Sequence, residues 1–173
     1  MTIYTTLQTF PANLREQVIL IGNFDGLHKG HQTLITRGRD IAAKRGKELI
    51  VLTFEPHPRK FFGKENEPFR LTPFRIKVRE LQALGADLLF VLRFNDSIST
   101  RPADSFVTDI LHNGIGASHV VVGYDFAFGA APGEHRVRAI VAHEAMARHV
   151  ASSATAASGS GAPFSSATNN WPV

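Results

Sequence analysis

The sequence predicts an α/β fold, a parallel sheet with helices on both faces. Three observations predict it. Four short apolar runs rich in β-branched and aromatic residues recur along the chain. A segment with helical spacing separates each run from the next. A loop rich in glycine, proline or polar residues follows the end of each run. Strands alternating with helices form right-handed crossovers and a parallel sheet.

The elements follow in order. "QVILIG" (17–22) is a buried strand ending at Gly22. "HQTLITRGRDIAAKR" (31–45) spaces Leu34, Ile35, Ile41 and Ala42 on one helical face. Gly38 weakens this helix and Gly46 fits its C-cap. "ELIVLTF" (48–54) is the second strand. Residues 55–72 carry Pro56, Pro58 and Pro68 and read as irregular. A helix starts near Pro73 and runs to Leu84, stopped by Gly85. "ADLLFVLRF" (86–94) is the third strand. "PADSFVTDILHN" (102–113) is a helix with Pro102 in its first turn. "SHVVVG" (118–123) is the fourth strand. Ligands of such sheets bind beyond the carboxyl ends of the strands. The segments "GNFDGLHKGH", "EPHPRKFFGKE", "NDSIST" and "YDFAFG" should therefore share one rim.

After Gly129 the texture changes. Residues 130–150 contain a possible helix. Residues 151–173 carry no charge, and sixteen of those 23 are Ala, Ser, Thr or Gly, a composition that builds no core and reads as disordered. The expected organisation is a module over 1–129, then these two segments.

Bulk properties narrow the chemistry. The chain has no cysteine, which removes disulfides, thiolate zinc sites and a cysteine nucleophile. No run of about 18 apolar residues occurs. The N-terminus lacks a basic start followed by an apolar block, so no signal peptide is read and the expected location is cytoplasmic. Net charge is +4, but the basic residues are scattered and form no nucleic-acid arm. The excess suits small phosphorylated ligands or an ordinary solvated surface.

The first loop carries the strongest chemical signal. A helix N-terminus presents unpaired N–H groups and a partial positive charge, a ready anion site. Gly26 and Gly30 let backbone approach a ligand. His28 precedes the turn and His31 opens the helix, so both imidazoles can converge on one phosphate. A zinc site would need a third ligand, for which Asp25 or His57 could serve. A structural histidine pair is the remaining alternative. The loop has neither Walker A nor G-x-G-x-x-G spacing.

These residues also carry a resemblance. "GNFDGLHKGH" contains H-x-G-H, as in the nucleotidyltransferase superfamily of α/β adenylyl- and cytidylyltransferases. The longer set "IGNFDGLHKGH", "LTFEPHPRKFF", "RLTPFRIKVRELQALGAD", "FNDSIS…ADSFVTDIL" and "VVVGYDFAFG" resembles, in order and spacing, the adenylyltransferase half of the bacterial bifunctional riboflavin kinase/FMN adenylyltransferases, the FAD synthetases. It covers roughly residues 15–129.

The resemblance implies a Rossmann-like nucleotidyltransferase fold and a reaction: the phosphate of FMN attacks the α-phosphorus of Mg²⁺-bound ATP, giving FAD and pyrophosphate. It implies that His28 and His31 are catalytic and contact the ATP phosphates, with Gly22, Asn23, Phe24, Asp25 and Gly30 around the nucleotide. On the flavin side it implies His57, Pro58, Arg59 and Phe62, then Asp125 and Phe128. Lys60 can meet a phosphate, and Phe61 shares with Phe62 the choice between covering a flavin ring and packing on the core. Tyr124, Phe126 and Phe128 face the same choice. Neither nucleic acid nor membrane is an expected partner.

The family's Ser/Thr-rich loop ending in Ile-Arg, which grips the triphosphate, has no counterpart after "FAFG", and neither does a riboflavin-kinase barrel. The switch at about Ala130 is what a shifted reading frame would produce. On this reading the sheet is incomplete at its C-terminal edge, and turnover is weak or absent. The alternatives are another H-x-G-H nucleotidyltransferase and a non-catalytic nucleotide- or flavin-binding fragment.

Overall fold

All four predicted strands join one five-stranded parallel sheet. The computed structural model describes residues 1–63, 70–123 and 126. The strands are β1 (Thr2–Tyr4), β2 (Val18–Ile21), β3 (Leu49–Glu55), β4 (Leu88–Arg93) and β5 (His119–Val122). Their order is β1-β4-β3-β2-β5. β2 lies between β3 and β5, with Val18 opposite both Leu49 and His119. β3 runs on to pair Glu55 with Arg93 of β4. β1 was not among the predicted strands. It has three residues, two of them exposed, and pairs Thr2–Tyr4 with Leu88, Leu89 and Phe90 at the sheet edge.

Alternation along the strands divides the core into two layers. Ile19, Ile21, Ile50, Leu52, Phe54, Phe90 and Leu92 point to one face. Val18, Leu20, Leu49, Val51, Leu89, Val91 and Val121 point to the other. Helices α1 (Lys29–Lys44) and α3 (Phe74–Ala83) cover the second face through Ile35, Ala42 and Leu81. Gly38 lies inside that contact. A Cβ there would meet Leu49 Cδ1 at 3.0 Å, so the glycine brings helix and strand together.

The first face is covered by Phe106, Val107, Ile110, Leu111 and Ile115. They belong to the predicted helix at 102–113, with one difference. Helix α5 (Ala103–Ser105) passes directly into a π-helix, Phe106–Ile115. Its buried positions recur at every fourth or fifth residue, a wider turn than the α-helix presents. Two further short helices, α2 (Pro58–Phe61) and α4 (Asp96–Ser99), arise inside predicted loops. The cap signals are local: His57 Nδ1 accepts from the N–H of Arg59, and Asn95 Oδ1 accepts from that of Ile98.

The winding places the first loop. From β2 the chain moves outward through β3 to β4, then returns to place β5 on the opposite side of β2. The strand order reverses beside β2, and ligand crevices of open α/β sheets lie at such switch points. The expected incompleteness beyond β5, the possible helix at 130–150 and the tail at 151–173 fall outside the described residues.

Candidate active site

The loop from β2 into α1 is held in an unusual backbone path. Phe24, Gly26 and Leu27 all have positive φ, at 49°, 77° and 32°. For Phe and Leu this conformation costs on the order of 1 kcal/mol each. Asp25 offsets that cost. Its two carboxylate oxygens accept from the N–H groups of Leu71 (3.0 Å) and Thr72 (2.8 Å). Thr72 Oγ1 in turn accepts from the N–H of Gly26 at 2.9 Å. Thr53 Oγ1 donates to the carbonyl of Asn23 at 3.3 Å, and the N–H of Gly22 donates to the carbonyl of Leu52 at 3.1 Å.

This loop delivers the two histidines as a unit. His28 is the N-cap of α1, and its Nδ1 accepts from the N–H of His31 at 3.4 Å. The helix therefore starts two residues before the predicted residue 31. The imidazoles stack, with centroids 3.8 Å apart and planes at 21°. Beneath them Phe24, fully buried, packs its ring 5.3 Å from that of His31. Gly30 leaves room for this arrangement, because a Cβ there would lie 3.2 Å from His28 Cε1 and Nδ1. An Nδ1 that accepts carries no proton, so neutral His28 presents its N–H from Nε2. Lys29 and Gly30 stand exposed at the helix start, where N–H groups have no intrahelical acceptor.

The end of β3 forms the adjoining wall. A cis peptide joins Glu55 to Pro56, and Pro58 opens α2. His57 is buried, and burial is the largest influence on its pKa, which lies below the ordinary imidazole value; Lys77 and Arg59 push the same way, while Asp25 and Glu55 oppose. Phe61 and Phe62 part company. Phe61 is half-buried with its ring 5.3 Å from Phe94, whereas Phe62 is 54% exposed at the rim. Arg59 and Lys60 are exposed.

Comparison with known proteins fits this geometry. Residues 10–165 match the FAD synthetase family. The chain belongs to that family. It is 40% identical over 112 residues to a bifunctional riboflavin kinase/FMN adenylyltransferase of Buchnera aphidicola, and 36% identical over 115 residues to one of Bacillus subtilis. These alignments cover 65% and 66% of this chain and 36% of each relative, so the chain spans about a third of the length of the curated relatives it matches. A crystal structure of a protein from Streptococcus pneumoniae titled a macrolide-efflux protein superposes with a TM-score of 0.61 at 25% identity, covering 74% of this chain and 42% of that one. The family match runs past Ala130, while the pairwise alignments cover about two thirds of the chain.

Among the predicted site residues of this FAD synthetase family member, Gly22, Asn23, Phe24, Asp25 and His28 lie on the β2–α1 loop, and Gly30 and His31 in the first turn of α1. His57, Pro58, Arg59 and Phe62 lie together after β3. Asp125 and Phe128 are outside the described residues, as is Tyr124. Phe126 packs partly buried against the first core layer.

One functional-looking group escaped the sequence reading. Lys77, on α3, is 2% exposed and sits with Glu55, their charged atoms 3.6 Å apart. Arg70 pairs with the other oxygen of Glu55. A signal existed: Phe74, Lys77, Val78 and Leu81 share helical spacing, and a lysine there interrupts an apolar stripe.

Proposed function

We propose that this chain transfers the adenylyl group of ATP to FMN, giving FAD and pyrophosphate, a step of FAD biosynthesis. The observation that carries the reading is the stacked His28–His31 pair at the N-terminus of α1, beside the strand-order reversal. A phosphate oxygen of FMN forms a bond to the α-phosphorus as the bond to the pyrophosphate oxygen breaks. The chain need supply no covalent intermediate. Its task is to align two anions and stabilise charge on the phosphoryl oxygens.

The residues divide that task. The Nε2–H of His28, the imidazole of His31 and the first N–H groups of α1 point donors at the phosphates. Asn23 Oδ1 is buried with no donor among the described residues, and it suits an amino or hydroxyl group of the nucleotide. Phe24 and Asp25 act on the nucleotide side by holding the loop. Phe24 supports His31 from below, and Asp25 is committed to two backbone N–H groups. On the acceptor side, the exposed Arg59 carries charge suited to a phosphate and Phe62 a ring suited to cover a flavin, beside His57 and Pro58. Asp125 and Phe128 complete the flavin side of the proposal. Mg²⁺ arrives with ATP as part of the substrate, keeping several waters.

The test is direct. The purified chain is incubated with FMN and Mg²⁺-bound ATP, and FAD is separated chromatographically while pyrophosphate is counted. Equal amounts of both are expected. ATP or FMN binding with no FAD would leave a binding fragment, and turnover with other phosphorylated acceptors in preference to FMN would point to another nucleotidyltransferase.

A further inference from the structure

One stretch of chain, residues 70–77, touches both walls of the site. The N–H groups of Leu71 and Thr72 hold Asp25, and Thr72 Oγ1 holds Gly26, so this stretch grips the loop that carries His28 and His31. Arg70 and Lys77 take the two oxygens of Glu55. Glu55 is the last residue of β3 and immediately precedes the turn that carries His57. The same short stretch therefore fixes two loops against each other.

Lys77 is the unexpected member. It is buried in an apolar stripe between Phe74, Val78 and Leu81. A buried charge pair is poor at stabilising a fold, because desolvation of both ions offsets their attraction. An apolar side chain would suit the stripe better. At 2% exposure the ammonium cannot itself touch a ligand, so whatever it does is done through its neighbours.

We propose that Lys77 is a positioning residue for adenylyl transfer: by holding Glu55 from inside, it fixes the turn that presents His57 against the loop that presents His28 and His31. The inference rests on the reading of the site as an FMN adenylyltransferase. His57 reports on the charges that surround it. The charged groups acting on His57 are Asp25 from the first loop, Glu55 from the end of β3, Arg59 from α2 and Lys77 from α3. Removing Lys77 removes one of the two cations that depress the His57 pKa.

The experiment compares the parent chain with Lys77→Met and Lys77→Arg. The His57 ring is titrated by NMR, FAD formation is assayed, and FMN affinity is measured by flavin fluorescence. The Met variant is expected to titrate His57 at higher pH. Its kcat should fall about 10- to 100-fold with KM for ATP little changed, the signature of misaligned partners. The Arg variant should recover most of both. A merely structural lysine would lower the melting temperature in the Met variant and leave kcat and FMN affinity where they were, because loss of its charge moves the His57 titration in either case; that result overturns the proposal. Should the Met variant fail to fold, Glu55→Gln replaces it: His57 should then titrate lower and kcat still fall, and no change in either overturns the idea. If the parent chain forms no FAD, the functional reading fails by itself. FMN affinity then decides the positioning claim: weakened in the Met variant and restored in the Arg variant supports it, and unchanged in both overturns it.

Discussion

His28 caps α1 with one ring nitrogen and, on the proposed function, serves the phosphates with the other. Nδ1 caps α1, which leaves Nε2 as the donor toward a ligand. His28→Ala should therefore cost little stability, about 0.5 kcal/mol, because the cap bond is long at 3.4 Å. The same change should reduce FAD formation by about 10²–10³. His31→Ala should act similarly on the rate, and chromatographic FAD assays with thermal melts check both. Asp25 has a different signature. Asp25→Ala leaves the N–H groups of Leu71 and Thr72 without their carboxylate and should cost about 2–3 kcal/mol. Amide exchange at Leu71 and Thr72 should accelerate, and unchanged protection there would contradict the clamp. The sequence showed that Asp25 belongs to the loop. That both its oxygens are bound to a segment 46 and 47 residues away was beyond any local pattern.

At the scale of elements, helix–strand contact is set by small residues. Gly38 reads in sequence as a weak point of α1, and in the fold it is the point of closest approach to Leu49 and Leu20. Gly38→Leu should overpack this contact and cost about 1–3 kcal/mol in urea unfolding, despite better helix propensity. Gly85 illustrates a different use. It follows α3 with φ of 91°, and a Cβ there would strike Arg39 Cδ at 2.6 Å. The predicted stop of that helix was legible because glycine favours this conformation. The π-winding of Phe106–Ile115 was not legible, since apolar residues at such spacing also fit an α-helix.

For the whole molecule, stability and pH are linked through the buried cations. His57 has a folded-state pKa below its unfolded value of 6.5, so the unfolded chain binds more protons in the interval between them. This term stabilises the fold above pH 6.5 and is lost as pH falls through the folded value. Lys77, also lowered from its ordinary 10.5, follows the same sign at high pH: stability rises as pH climbs from its folded value toward 10.5. His57→Gln should flatten the acid side of a melting-temperature profile and leave the alkaline side unchanged. The central strand sets the scale of the core. Leu52, fully buried with β2 on one side and β4 on the other, should cost about 2–5 kcal/mol on replacement by Ala, read from the urea midpoint.

The sequence by itself determined the four main strands, the helices between them, the common rim of the first two loops and the family. These follow from local periodicity, turn chemistry and motif spacing, which act over a few residues. The tertiary structure alone decided the strand order that puts β5 beside β2, the three-residue edge strand β1, the stacking of His28 on His31 over Phe24, and the partners of Asp25 and Lys77. All but the histidine stack join groups far apart in the chain. Their energies come from burial and charge pairing that exist only once β2, β3 and α3 have packed.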